Sequence, residues 1–449
     1  RCHWDKIKRK IFIFLKENYL KISNLIKAPT VFIYLLAAVL ISLPLKYAFG
    51  SISCVLFLVV AFSYVFKSKF TYNKALVLPM IFYLLMVISL LWTRDFQSTL
   101  VGLKKEAFIF LIPLAFLLIP KLSKESVYKI FRIYSFTMAV YAVYYFINAI
   151  FRYVETGNAR VFFYHELVTF DLSAIYVSTF ASFALFYFIL IKNKSVIEQI
   201  ATLILAVLIA LLTSRTLLFI DFLLFICYYI FFSETHKGIK TITVFAVSLF
   251  FVFSLLFVSE SRERLLTEYD TVLVDNTVDN NKIITGNQKL YDVSVGEAWS
   301  SNHFQPNNFL PGVALRVFQT RLFIEMLQEQ HILFTGFGFD ASQEKIKEKT
   351  RQYNLSKGYE EFNFHNQYVQ TFAELGLFGF IVLLTILYVN IKNAWDNKSF
   401  LHIAFSITMI MLFLSESFLS RQRGVVFFIT IYCLFNTISS TPKQEIDIN

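Results

Sequence analysis

The sequence predicts an all-α polytopic membrane protein with about twelve transmembrane helices and one large extracytoplasmic loop containing short helices. Three observations predict it. Hydrophobic residues make up 57% of the chain and charged residues only 16%, with a mean hydropathy of +0.59. A soluble chain of this length needs roughly a quarter of its residues charged to solvate its surface. The apolar residues fall in runs of about 17 or more, long enough to cross roughly 30 Å of hydrocarbon. Lysine recurs in alternate links between those runs, the pattern that orients helices in a bilayer.

Residues 1–29 come first and read as a cytoplasmic amphipathic segment, with Trp4, Ile7, Ile11, Phe12 and Leu15 interleaved with Lys6, Lys8, Arg9, Lys10 and Lys16. Such a helix lies on an anionic membrane face; a cleavable leader would need a short apolar core and a small-residue cleavage site. Nine apolar stretches follow within 30–259, near 30–46, 48–66, 76–93, 104–120, 130–151, 170–191, 196–213, 215–232 and 241–259. Residues 260–364 then form the large loop, with helical spacing at 313–330 and 340–352 and an asparagine-rich stretch at 270–310 that reads as irregular, mobile loop. Three more stretches fill 365–438, near 366–391, 399–418 and 422–438, before a cytoplasmic tail at 439–449.

Lys67, Lys69 and Lys74, then Lys121, Lys124 and Lys129, then Lys192 and Lys194, Lys237 and Lys240, and Lys392 and Lys398 mark every second link as cytoplasmic. Both termini and the net charge of +11 belong to that side. The charge is therefore a topology signal, and no basic soluble face suggests a nucleic-acid partner. Cys54, Cys227 and Cys433 sit within spans and Cys2 in the tail, so neither a disulfide framework nor a zinc site is expected.

On the outer side arginine replaces lysine: Arg94, Arg152, Arg160, Arg215, Arg316, Arg321, Arg421 and Arg423. Guanidinium forks bind phosphate oxygens bidentately, so an outward arginine cluster fits a lipid-linked phosphate or diphosphate as well as headgroup anchoring or structural ion pairs. Arg215 stands between two stretches with almost no loop, and a bound phosphate is the sharper reading there. His365 opens the tenth stretch in FNFHNQYVQTFAELGLFGF. A neutral imidazole at that boundary is suited to taking a proton from a sugar hydroxyl, or is simply a hydrogen-bonded surface residue. Asn366, Gln370 and Glu374 form a polar stripe on that helix, with Glu374 read as an interhelical hydrogen-bond or ion-pair group and Gly376 and Gly379 as sites of close helix packing. Glu416 is expected to pair with Arg421 or Arg423.

The order and sidedness of these pieces resemble the O-antigen ligase and polymerase superfamily of bacterial membrane glycosyltransferases. The matching pieces are Arg316 ahead of an amphipathic helix, TGFGF at 335–339, HNQYVQTFAELGLFG at 365–379, the Ser214–Arg215 pair and ESFLSRQRG at 416–424. Thr216 stands where the family often has glycine, and Thr320 where it often has tryptophan; Arg321 lies close enough to Arg316 to share its role. The resemblance implies a GT-C-like fold in the bacterial inner membrane, with the large loop periplasmic and the active site facing the periplasm. It implies transfer of a glycan from undecaprenyl diphosphate to an acceptor hydroxyl, with no nucleotide sugar, metal or other cofactor. His365 matches the histidine that activates the hydroxyl, and Arg215 and Arg316, with Arg321, the arginines that hold the donor diphosphate.

The chemistry is coherent with those residues. Diphosphate is a good leaving group, and fixed guanidinium groups stabilise the charge it takes up. Direct attack inverts the anomeric centre, and no outward carboxylate pair suggests double displacement. O-antigen ligation to lipid A–core is the leading reading, ahead of O-antigen polymerisation and protein O-glycosylation, which share donor and side. A lipid-linked glycan transporter is the competitor from another class, and a purely structural or assembly role is the remaining one. A transporter should carry its charges at mid-membrane depth, where Asp171, Asp221 and Glu374 are the few acids within spans.

Overall fold

A computed structural model describes residues 29–64, 72–168, 172–212, 214–256 and 291–438, together with 262, 266 and 269. The amphipathic 1–29 segment, Cys2, Asp171, residues 270–290 and the 439–449 tail lie outside the described residues, save for Pro29 at the start of the first helix. Each of the apolar stretches is helical over most of its described length. In chain order the helices are α1 (Pro29–Ile41), α2 (Tyr47–Phe62), α3 (Lys74–Ile88), α4 (Phe96–Glu106), α5 (Phe108–Leu118), α6 (Lys124–Thr156), α7 (Tyr164–Leu167), α8 (Ala174–Ile189), α9 (Val196–Leu211), α10 (Arg215–Cys227) and α11 (Lys237–Leu256). Further along the chain come β1 (Tyr291–Asp292), α12 (Val295–Ser300), β2 (Asn308–Phe309), α13 (Gly312–Glu329), α14 (Gln343–Gln352), α15 (Gln367–Asp396), α16 (Phe400–Leu412) and α17 (Gln422–Thr437).

Four helical segments, 74–91, 124–156, 215–232 and 367–396, are long and apolar enough to cross a membrane, and five shorter apolar helices accompany them. The chain is a membrane protein. α6 shows how composition becomes placement. Ala142, Tyr145 and Ala149 point into the core, while Val140, Val143, Tyr144, Ile147, Phe151 and Val154 are exposed. That exposed set repeats every three to four residues, so it forms one apolar stripe that water would not tolerate and lipid would. The 33 residues of α6 extend about 50 Å, well beyond the hydrocarbon thickness. Its last turns therefore carry the following link clear of the apolar layer.

The helical core is built by α3 against α5 and α15, α17 against α5, α1 against α6, and α6 and α9 against α8. Fully buried aromatic side chains fill it, Tyr134, Phe131, Phe180 and Tyr432 among them. A second, smaller apolar core lies within residues 293–373, around Phe304, Leu310, Phe318, Phe337 and Ile346.

The connections gather at two ends. At one, Trp92 and Arg94 meet the 335–338 turn, the Leu45 carbonyl meets Arg423, and residues 164–175 share a cavity with 312–316, 365 and 416–421. At the other, Asn73 bonds the Asn436 carbonyl, Asn393 bonds the Asn436 side chain, and Lys192 pairs with Glu234. Alternate links thus lie at opposite ends of the bundle.

The structure corrects the sequence reading in three places. The stretch 104–120 is divided: α4 ends at the buried Glu106 and α5 starts at Phe108. Residues 291–310 are ordered by the parallel β1–β2 pair and by α12, which carries a capping box between Ser294 and Glu297. Gly376 does not serve helix–helix packing. It breaks α15, with φ +65° and ψ −162°.

Candidate active site

The break at Gly376 is filled by the TGFGF turn. Phe337 N–H donates to the Ala373 carbonyl at 2.8 Å, Gly338 N–H to that of Glu374 at 3.0 Å, and Leu377 N–H to that of Leu333 at 2.8 Å. The turn thereby takes up carbonyls and an amide that the interrupted helix leaves open. A Cβ on Gly376 would lie 2.2 Å from the Phe334 oxygen, and one on Gly336 2.3 Å from the Glu374 carbonyl carbon. The same turn is held by α4 and by the link before it: Trp92 Nε1 donates to Thr335 O at 2.9 Å, and Thr99 Oγ1 to Phe339 O at 2.6 Å. The first turns of α15 are therefore anchored to the smaller core on one side and to the helical bundle on the other.

His365 stands immediately before those turns. Its φ is +44°, a left-handed conformation that costs energy for any residue with a side chain. Local bonds impose it: His365 N–H donates to Asn363 Oδ1 at 3.0 Å, and Asn366 caps α15 by accepting from Tyr368 and Val369 amides at 3.0 and 3.1 Å. Asn366 N–H donates to Ser417 Oγ at 3.2 Å, Gln367 N–H to Phe413 O at 2.8 Å, and Leu419 N–H to Gln367 Oε1 at 2.7 Å. The α16–α17 connection is thus clamped onto the start of α15. The clamp brings Glu416 Oε2 to 3.8 Å from His365 Nδ1. Glu416 thus lies beside His365, where the sequence pointed to Arg421 or Arg423. At that separation the two groups are close neighbours without a direct hydrogen bond.

His365 and Glu416 open onto a cavity of about 660 Å³. Tyr164 and His165 of α7, the approach to α8, Gly312, Leu315 and Arg316 of α13, and Arg421 form the rest of its described lining. Arg316 reaches across to the α16–α17 connection, where Nε and Nη2 both donate to Ser415 O at 3.0 and 2.9 Å, and Nη1 donates to Gly312 O at 2.8 Å. Arg421 sits above the buried Tyr176, with its guanidinium carbon 6.0 Å from the ring centroid. Tyr176 in turn stacks on Phe418 and donates to its carbonyl at 3.0 Å.

The other expected site residues lie elsewhere. Arg321 is held inside the smaller domain by Glu325 Oε1 at 2.9 Å, Ser301 O at 2.7 Å, Asn302 Oδ1 at 3.2 Å and Tyr353 OH at 3.0 Å. Burial alone would raise the Glu325 carboxyl, but bonds from Tyr353 and Lys349, the Lys349 charge and the bond from Arg321 hold it below its ordinary value. Arg423 is buried, donates to Leu45 O at 2.6 Å and covers the Tyr47 ring at 3.9 Å. Gln370 bonds Glu374 along α15 and Ser342 Oγ at 3.3 Å. Glu374 lines a separate small cavity with Glu106, Lys105 and Asp340. Arg215 begins α10 beside the buried Ser214 and is not among the described residues lining the large cavity.

His165 and Tyr164 went unnoticed in the sequence. They lie in what reads as a short polar link, and the available signal was a histidine in an outward connection. His165 Nδ1 accepts from Ala174 N–H at 3.3 Å, which ties α7 to the start of α8.

Residues 200–384 match the family model described as O-antigen ligase. Over that stretch the chain is similar to the O-antigen ligase family. The matched stretch contains Arg215, Arg316, Arg321 and His365. Glu416, Arg421, Tyr164 and His165 come from outside it, so the cavity is completed by parts of the chain beyond the match. No curated protein matches the chain.

Proposed function

We propose that this protein belongs to the O-antigen ligase family and transfers a glycan from undecaprenyl diphosphate to an acceptor hydroxyl, and that ligation of O-antigen to lipid A–core is its reaction. The observation that carries the reading is the His365–Glu416 pair opening onto an arginine-lined cavity. The chain is read as an inner-membrane protein of about twelve crossings with both termini cytoplasmic and the cavity periplasmic. Two facts support that topology. Alternate links collect at opposite ends of the bundle, and the links that build the cavity are the ones whose lysine-poor composition assigns them outside.

In the proposed reaction His365 accepts the proton of the acceptor hydroxyl as that oxygen attacks the anomeric carbon. Glu416 stabilises the imidazolium that forms. The bond between the anomeric carbon and the diphosphate oxygen breaks, and the diphosphate leaves with the electron pair. Its charge is met by guanidinium at the cavity, Arg421 foremost, so that the displacement inverts the centre without a metal. The cavity is built from links rather than from mid-helix residues, which favours an enzyme over a transporter.

Complementation of a ligase-null Gram-negative strain tests the reading, with attachment of O-antigen to lipopolysaccharide scored on gels. The intact chain should restore attachment when supplied with its own host's donor, and His365→Ala should not. Lengthened glycan that stays on the carrier would instead make the protein a polymerase.

A further inference from the structure

The arginines around the cavity differ in what their donors meet. Arg316 spends Nε, Nη1 and Nη2 on two backbone carbonyls, which leaves at most two of its five N–H bonds for a ligand. One of those carbonyls belongs to Ser415, the residue before Glu416. Arg321 gives four of its N–H groups to partners outside the cavity, and Arg423 is buried against Leu45 and Tyr47. Arg421 is the exception. It is exposed, it lines the cavity, and among the described residues no carboxylate or carbonyl accepts from its guanidinium. Its stem is set by a built platform: Tyr176 beneath it is buried, stacked at 4.6 Å on Phe418 and hydrogen-bonded to the Phe418 carbonyl.

We infer that the two cavity arginines divide the work, Arg421 gripping the phosphate oxygens of the bound lipid while Arg316 positions the Glu416–His365 pair through the Ser415 carbonyl. This rests on the proposed glycosyl transfer and assigns its charged contact. A guanidinium with its fork open meets a phosphate bidentately, whereas one already bonded to carbonyls fixes backbone. Arg316 is on this account a positioning residue. The ligand chemistry is a phosphate or diphosphate on a lipid, supplied by the polyprenyl donor or by a phosphorylated acceptor.

The test uses the full chain in lipid nanodiscs and measures binding of undecaprenyl diphosphate, of lipid A and of undecaprenol, which lacks phosphate. Arg421→Ala should weaken one of the two phosphorylated lipids by about tenfold or more, with undecaprenol and the unfolding temperature unchanged. Arg421→Lys, which keeps the charge and loses the fork, should fall between. Arg316→Ala should keep binding within about threefold and lose turnover, a fall in kcat rather than a rise in KM. The lipid whose affinity Arg421→Ala reduces identifies the source of the phosphate. Unchanged binding of both lipids by Arg421→Ala, or equal loss with Arg316→Ala, overturns the division while leaving the proposed function standing. Failure of the intact chain to bind either lipid overturns the proposed function first, and this inference with it.

Discussion

His365 carries the account at the scale of single residues. A histidine held at φ +44° by Asn363 below and the Asn366 cap above has its ring direction set by backbone rather than by chance packing. Its replacement by alanine should reduce turnover about a hundred- to ten-thousand-fold, the usual contribution of a general base, with binding of the donor retained. Glu416→Gln keeps the shape and removes the charge, so kcat should fall by about tenfold or more in a steady-state transfer assay. Arg321 gives the opposite expectation. Its bonds all lie within the smaller core, so Arg321→Ala should lower stability by on the order of 2 kcal/mol and spare the intrinsic kcat of the folded fraction. The Glu325 carboxyl in the same network is held below its ordinary value. Its contribution is therefore fully present above the value of the unfolded chain and is lost as pH falls through the lower, folded one. Acid should loosen 291–364 at pH below the ordinary carboxylate range, read as rising proteolysis of that segment, and Glu325→Gln should flatten the effect. Sequence reasoning reached His365 because a histidine at the edge of an apolar stretch stands out. It did not reach the Glu416 contact, because that proximity depends on the α16–α17 connection folding back over α15.

Among elements, the junction of the 333–338 turn with the broken α15 decides where the site sits. The glycines at 336 and 376 both have positive φ and both face backbone at less than 3 Å from where a Cβ would be. Gly376→Ala and Gly336→Ala should each destabilise the junction by roughly 1–3 kcal/mol or more. Thermal unfolding in detergent should show the loss, and activity should fall with it, since His365 begins the helix that the turn holds. The helices themselves were legible because an apolar run of sufficient length has few other fates. The break was not, because a glycine inside such a run is compatible with close packing or with a change of direction. Only the turn that docks there, a stretch some forty residues earlier in the chain, chooses between them. The division of 104–120 into α4 and α5 was hidden for a similar reason: Glu106 is buried beside Asp340 and Glu374, which come from distant segments.

At the level of the whole molecule, the two ends of the bundle are chemically different, and the cavity belongs to one of them. Cysteine placed at exposed Glu361 should react with a membrane-impermeant maleimide in intact cells. Cysteine at exposed Lys121 should react only after the membrane is opened, in a background in which the native cysteines are replaced. The alternation of lysine-rich links is what leads to this expected orientation. The gathering of residues 164–175, 312–316, 365 and 416–421 into one cavity was not legible in the sequence, since it brings together links separated by more than half the chain. The most direct measurement is transfer by the purified full chain in nanodiscs, given undecaprenyl-diphosphate-linked O-antigen and lipid A–core and compared with its His365→Ala variant. Glycan should be attached to lipid A–core by the intact chain and none above background by the variant, with both proteins folded to the same unfolding temperature. Equal product from the two, or no product from the intact chain with a donor and acceptor its host provides, would contradict the proposed function.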